Sequence, residues 1–222
     1  MLPPLLQPPQ LLIFDCDGVL VDSERLSHQV LCALLAEHGV QLGFDDAVAR
    51  FIGASTATCI TRLADLLGRP VPADFMPQFG QRCRTAFAAE LRAVHGVEAV
   101  LDQLAVPFCV ASNGERRKMH FTLGHTGLLP RFEGRMFSAD DVARPKPAPD
   151  LFLHAAASLG VSPAQCLVIE DTATGIQAAR AAGMQAWGYT AMTPAERLRD
   201  AGAHGIFSDM RELLAVPGLT RV

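Results

Sequence analysis

Lysine is almost missing from this chain. Of its 19 basic residues only Lys118 and Lys146 are lysines, which leaves 17 arginines. An excess of basic charge is missing too. The net charge is −4, so no global basic field invites nucleic acid. No apolar run is long enough to cross a membrane. There is no internal repeat. The six cysteines, at 16, 32, 59, 83, 109 and 166, form no C-x-x-C pair. They read as free, buried thiols of a reducing cytoplasm, without a metal or disulfide role. The start, Met1 to Pro9, is apolar but broken by prolines and has no basic lead, unlike a signal peptide. What remains is a 222-residue chain, half hydrophobic and 19% charged, with material for one domain carrying an insertion or for two small domains.

The rest is organised around Leu11-Leu12-Ile13-Phe14-Asp15-Cys16-Asp17-Gly18. Four apolar residues running into two carboxylates suit a strand buried on both faces of a sheet. That strand puts Asp15 at its carboxyl end, where open α/β sheets bind ligands. Two close carboxylates repel, so a cation or a shared proton must compensate, and Mg²⁺ takes oxygen ligands of this kind together with substrate phosphate. Alone, the motif could be an acidic turn.

Ser23 can cap a helix to about His38, and helical patterns follow at 44–51, 56–67 and 74–93 with no strand between. A helical block between two strand-bearing regions reads as an insertion. Strands are expected at 106–112, 136–138, 166–170, 185–189 and 205–207. Helices are expected at about 115–126, 149–159, 174–182 and 194–200, and from near 209. The alternation implies βαβ units and a Rossmann-like, mostly parallel sheet core, residues 10–22 plus 94–222, with an all-helical cap at 23–93. Asp15, Ser112 and Glu170-Asp171 then end three strands at one edge. Lys146 lies in the proline-stiffened loop Arg144-Pro145-Lys146-Pro147-Ala148-Pro149. Each could be bland by itself: a helix cap, a loop charge, a solvated turn. Together, in this order, they point to one site.

Asp15-Cys16-Asp17-Gly18-Val19-Leu20-Val21-Asp22-Ser23-Glu24 resembles the first motif of the haloacid dehalogenase-like hydrolase superfamily, in the form found in phosphatases with a helical cap. The resemblance implies an aspartyl-phosphate mechanism with Asp15 as nucleophile and Asp17 as general acid and base. It implies that Ser112 and the Asn113 N–H bind phosphate and that Lys146 balances its charge. The implied Mg²⁺ ligands are Asp15, the Asp17 main-chain carbonyl and Asp171, with Glu170 supporting the metal shell or Lys146. Lys118 is expected on an exposed helix face. The seven histidines show no ligand spacing, His28 being the one candidate for a cap contact.

Within the superfamily, Asp17 and Asp171 argue against a dehalogenase. The absence of lysine from residues 19–93 leaves a Schiff-base phosphonate hydrolase without its nitrogen. A β-phosphoglucomutase would carry a cap histidine where this chain has Ser27 and an arginine where it has Thr56. The core stretches Val110–Gly114, Lys118-Met119, Met136–Ser138 and Lys146–Leu151 look like those of bacterial sugar-phosphate phosphatases, the 6-phosphogluconate phosphatase type in particular. Arg50, Ser55 and Arg62 are the cap residues suited to a hydrophilic or anionic substrate. The expectation is a monomeric, cytoplasmic, Mg²⁺-dependent phosphatase acting on a small phosphorylated metabolite. It would bind neither nucleic acid nor membrane, and its cap would close over the site. A non-catalytic sugar-phosphate sensor would have lost a motif residue, and none is lost.

Overall fold

The computed structural model describes residues 7–220 together with Leu2 and Leu5. Of the proline-broken start, Met1, Pro3, Pro4 and Leu6 lie outside the described residues, as do Arg221 and Val222. The chain divides into two compact units. One comprises the chain up to Asp22 and from Arg92 onward, the other Ser23–Leu91.

The larger unit starts with β1 (Leu11–Phe14). The helical unit follows with α1 (Ser23–Glu37), α2 (Phe44–Phe51), α3 (Thr56–Leu67) and α4 (Phe75–Glu90). Back in the larger unit come α5 (Val97–Gln103), β2 (Phe108–Ser112), α6 (Arg116–His125), α7 (Leu129–Phe132) and β3 (Met136–Ser138). The chain continues through α8 (Asp150–Ser158), β4 (Cys166–Glu170), α9 (Ala173–Ala181), β5 (Gln185–Tyr189), α10 (Ala195–Asp200) and β6 (Gly205–Phe207). A 3-10 helix, Met210–Ala215, comes last.

The six strands form one parallel sheet in the order β3-β2-β1-β4-β5-β6. The apolar runs of β1, β2 and β4 are what this requires, because helices cover both faces of a parallel sheet. On one face Leu11, Ile13, Cys109, Ala111 and Val168 pack with Leu151, Phe152 and Ala155 of α8 and Ile176 and Ala179 of α9. Alternate residues face the other way. There Phe14 meets Phe108 edge-on at 6.3 Å, and Phe108 meets Phe132 of α7 at 5.4 Å. From central β1 the chain walks outward to β3, then returns to the opposite side of β1 as β4. The carboxyl ends of β1 and β4 therefore bound the crevice where strand order reverses, the ligand-binding position of open α/β sheets. The register there is tight: Phe14 pairs with Ile169, and the Asp15 N–H donates to the Ile169 carbonyl at 3.0 Å.

The helical unit has its own core, built from Leu31, Leu34 and Leu35 of α1 with Phe51, Leu63 and Phe75. Its last helix ends earlier than the pattern over 74–93 indicates. Arg92 and Ala93 belong to the larger unit: Asp22 N–H donates to the Arg92 carbonyl at 2.9 Å, and Val21 bridges Ala93. Helix α5 is an element the sequence pattern did not suggest. Its apolar stripe is only Val97, Val100 and Leu101 over seven residues. The terminal helix starts at a capping box, Asp209 with Glu212, but runs as 3-10. No helix among the described residues is long and apolar enough to cross a membrane.

Candidate active site

Lys146 is the hub of the site. Its Nζ donates to Asp15 Oδ1 at 2.6 Å, to Glu170 Oε1 at 2.7 Å and to the Ala111 carbonyl at 2.8 Å, which uses all three of its protons. It also lies 4.6 Å from the centre of the Phe152 ring. These contacts join the ends of β1, β2 and β4 through one ammonium. All three ionic partners are buried: Lys146 and Asp15 are 6% exposed and Glu170 1%.

The loop that delivers Lys146 is braced by Asn113. The Asn113 Nδ2 donates to the Lys146 carbonyl at 3.0 Å, and its Oδ1 accepts from the Lys146 N–H at 2.9 Å. The sequence suggests only the main-chain N–H of Asn113 as functional. The side chain has a second job that sequence cannot signal, since any polar residue after a strand looks alike. The peptide between Lys146 and Pro147 is cis.

Glu170 is fixed at its other oxygen. Oε2 accepts from the Thr172 N–H and the Thr172 hydroxyl, both at 2.9 Å. The same hydroxyl accepts from the Gly175 N–H and caps α9. The sequence signal for Thr172 is Thr-x-x-Gly at a helix start, a pattern too common to single it out. Of the two supporting roles open to Glu170, the geometry displays the contact with Lys146.

Asp17 follows two residues after Asp15, with its Oδ2 accepting from Lys118 Nζ at 2.8 Å. The expected exposed-face position for Lys118 needs correction. It stands in the first two turns of α6, 38% exposed, but its head group reaches the motif. Ser112 ends β2, nearly fully buried, and its Oγ accepts from the Gly114 N–H at 3.2 Å. Asp171, 1% exposed, follows Glu170. A β-carbon added to Gly18 would lie 2.2 Å from Asp171 Oδ2, and Gly18 has φ +78°. Only glycine lets the loop carrying Asp17 come this close to Asp171.

Burial pushes the Asp15 carboxyl up to about 7; Lys146 pulls the other way, while Glu170 and Asp17 add to the rise. Burial opposes the Lys146 ammonium, but Asp15 and Glu170 outweigh it and hold Lys146 above its ordinary value. Cys16, between the two aspartates, is a neutral thiol, pushed well up by burial and by both carboxylates. Around the crevice four carboxylates, Asp15, Asp17, Glu170 and Asp171, face two ammoniums, Lys118 and Lys146. No group of three or more His, Cys, Asp or Glu side chains among the described residues is arranged to hold a metal by itself. Two carboxylates and a main-chain carbonyl, all hard oxygens with an excess of negative charge, fit an ion that keeps part of its water shell. Mg²⁺ is such an ion, and Zn²⁺, with its taste for His and Cys, is not.

Arg50, Ser55 and Arg62 lie exposed in the helical unit. Ser55 caps α3, its Oγ accepting from the Thr58 N–H at 3.2 Å. Arg62 donates through Nη1 to the Arg50 carbonyl. Arg50 and Arg62 are thus in contact, and Ser55 is engaged in capping its own helix. His28 is buried in the same unit, its Nδ1 2.7 Å from the Glu24 carbonyl.

A family model described as haloacid dehalogenase-like hydrolase matches residues 9–183. The chain is 33% identical over 180 residues to a 6-phosphogluconate phosphatase of Escherichia coli strain K12, covering 80% of this chain and 81% of that protein. Among solved structures, a conserved haloacid dehalogenase-like protein from Agrobacterium tumefaciens C58 superposes with TM-score 0.87 at 38% identity, over 93% of this chain and 96% of that one. A hydrolase from Deinococcus radiodurans R1 with bound phosphate and sodium superposes with TM-score 0.82 at 32% identity, over 97% and 99%.

Proposed function

This chain belongs to the haloacid dehalogenase-like hydrolase family, as an enzyme of the phosphatase kind, and we propose that it hydrolyses a small sugar phosphate or phosphosugar acid with Mg²⁺ through an aspartyl-phosphate. The observation that carries the reading is the Lys146 ammonium held between Asp15 and Glu170 at the mouth of β1 and β4. The name of the Escherichia coli relative supports the substrate class.

In the first step the Asp15 carboxylate attacks phosphorus in line. The bond from phosphorus to the sugar oxygen breaks, and Asp17 gives that oxygen a proton. In the second step water attacks the aspartyl-phosphate, Asp17 takes the proton, and Asp15 is regenerated with release of phosphate. Splitting one displacement into two lowers each barrier, and a placed acid and base contributes roughly 10²–10⁴-fold. The Ser112 hydroxyl and the Asn113 N–H hold the non-bridging oxygens. A phosphate dianion and Asp15 repel, and unit charges ~4 Å apart cost about 4 kcal/mol at an effective dielectric near 20. Lys146 offsets that repulsion from a position fixed before substrate arrives. Mg²⁺, which Asp15, Asp171 and the Asp17 carbonyl would hold, supplies further positive charge toward the phosphoryl oxygens.

The test is phosphate release from a panel of phosphorylated sugars, 6-phosphogluconate included, with and without Mg²⁺. Mg²⁺-dependent release concentrated on one or a few sugar phosphates is expected. No release, with β-glucose 1-phosphate converted to the 6-phosphate, would replace the reading with that of a mutase.

A further inference from the structure

The chain's two lysines end on its two motif aspartates. Lys146 Nζ lies 2.6 Å from Asp15 and Lys118 Nζ 2.8 Å from Asp17. Every other basic residue is an arginine, so the lysines stand only where a compact ammonium meets a catalytic carboxylate. Lys118 approaches Asp17 from α6, 101 residues further along the chain. The carboxylate also comes close to the turn after β2: a β-carbon on Gly114 would lie 3.4 Å from Asp17 Oδ2 and 3.6 Å from Ser112 Oγ. Asp17 Oδ2 therefore meets both a glycine and an ammonium, next to the serine assigned to the phosphate.

We propose that Lys118 is a positioning residue for the acid and base carboxylate of Asp17, an inference that rests on the phosphatase reading above. Asp17 hangs from the turn after β1, and a side chain there has several rotamers. The general acid must reach the leaving oxygen within hydrogen-bond distance, and an error of about 1 Å can cost roughly 10²-fold. A charge-assisted bond to one oxygen fixes the carboxylate plane and with it the direction of the other oxygen. Surface ion pairs as such contribute little stability. The contact matters for direction, and its loss should be read in chemistry before it is read in folding. Lysine suits the task because it brings a compact ammonium on a flexible stem to one oxygen, whereas a planar guanidinium would present its donors in a fixed fork.

The experiment compares kcat/KM of wild type, K118M, K118Q, D17N and the double variant D17N/K118M, with Mg²⁺ present. Each is assayed on the best sugar phosphate and on 4-nitrophenyl phosphate. An alkoxide needs a proton to leave and 4-nitrophenolate does not, so loss of acid positioning must discriminate between them. K118M and K118Q are expected to lose about 10- to 100-fold on the sugar phosphate, through kcat more than KM, and under about threefold on the aryl ester. The double variant should be no worse than D17N, since Lys118 acts through Asp17. Equal losses on both substrates, a rise in KM alone, or additive losses in the double variant would overturn the proposal. Having two neutral replacements guards against one that misfolds. A wild-type protein silent on both substrates would instead sink the phosphatase reading itself.

Discussion

Gly175, in the first turn of α9, lies so close to Glu170 that a β-carbon on it would stand 1.8 Å from Glu170 Oε1, the atom that accepts from Lys146. Glycine within a helix ordinarily costs about 0.5–1 kcal/mol relative to alanine. The G175A variant should reverse that sign. Its methyl must displace the Glu170 carboxylate, and overpacking of this kind costs about 1–3 kcal/mol. Chemical denaturation should give a lower midpoint for G175A, with reduced turnover. A midpoint equal to or above that of wild type would mean that Glu170 can move aside freely.

Removing Lys146 leaves Asp15 and Glu170 as uncompensated buried carboxylates. Breaking a buried pair from one side costs about 3–5 kcal/mol, so K146M should lose stability on that scale and nearly all activity. E170Q keeps the shape and one of the two acceptor oxygens that take up Lys146 and Thr172, and should still lose less of both. Urea titrations of the two variants check the order, and E170Q losing more than K146M would contradict the role of Lys146 as hub.

Asn113 holds the Lys146 backbone with two hydrogen bonds. In N113A both main-chain groups lose their partner, at about 1–3 kcal/mol for a buried unsatisfied group. The loss should appear as lower kcat with the loop's protease resistance reduced. An N113A protein that keeps wild-type kcat and cleavage pattern would show that the proline-rich loop holds Lys146 unaided.

His204 should impose a pH dependence on stability. Burial, and then Arg180, hold its imidazole below the ordinary histidine range, while the Ala186 N–H donates to Nδ1 at 3.0 Å. The folded state therefore binds fewer protons than the unfolded chain as pH falls below about 6.5, the ordinary histidine value. Stability is complete above that pH and declines below it, until the folded-state pKa is reached. Thermal melts of wild type and H204Q between pH 7.5 and 5 should differ in slope, the variant being flatter. Parallel slopes would refute the assignment.

Much of this site is legible in the sequence because each strand changes abruptly from apolar to polar at its carboxyl end. Asp15, Ser112, Glu170 and Asp171 follow runs that only a buried strand explains, and the parallel order brings those ends to one edge. Lys146 is legible through its rarity and its prolines. Lys118 was not, because a lysine on a helix looks the same whether its head is solvated or bridges to a distant loop. Gly175 and Thr172 were hidden for a related reason: their task is to make room for, and bond to, a side chain that sequence does not orient. In the fold, the six strands are evident from pattern. Helix α5 is too short to have a clear period, and the capping box at Asp209 marks a helix start without specifying how tightly the helix winds.

The central claim is that Asp15 attacks phosphorus. The most direct measurement is the turnover of D15N beside wild type on the best sugar phosphate, with Mg²⁺ present and folding verified by circular dichroism. Asparagine keeps the shape of Asp15 but cannot form the aspartyl-phosphate, so turnover should fall by about 10⁴-fold or more, as it does when a nucleophile is removed. A folded D15N enzyme with near-normal turnover would contradict the account.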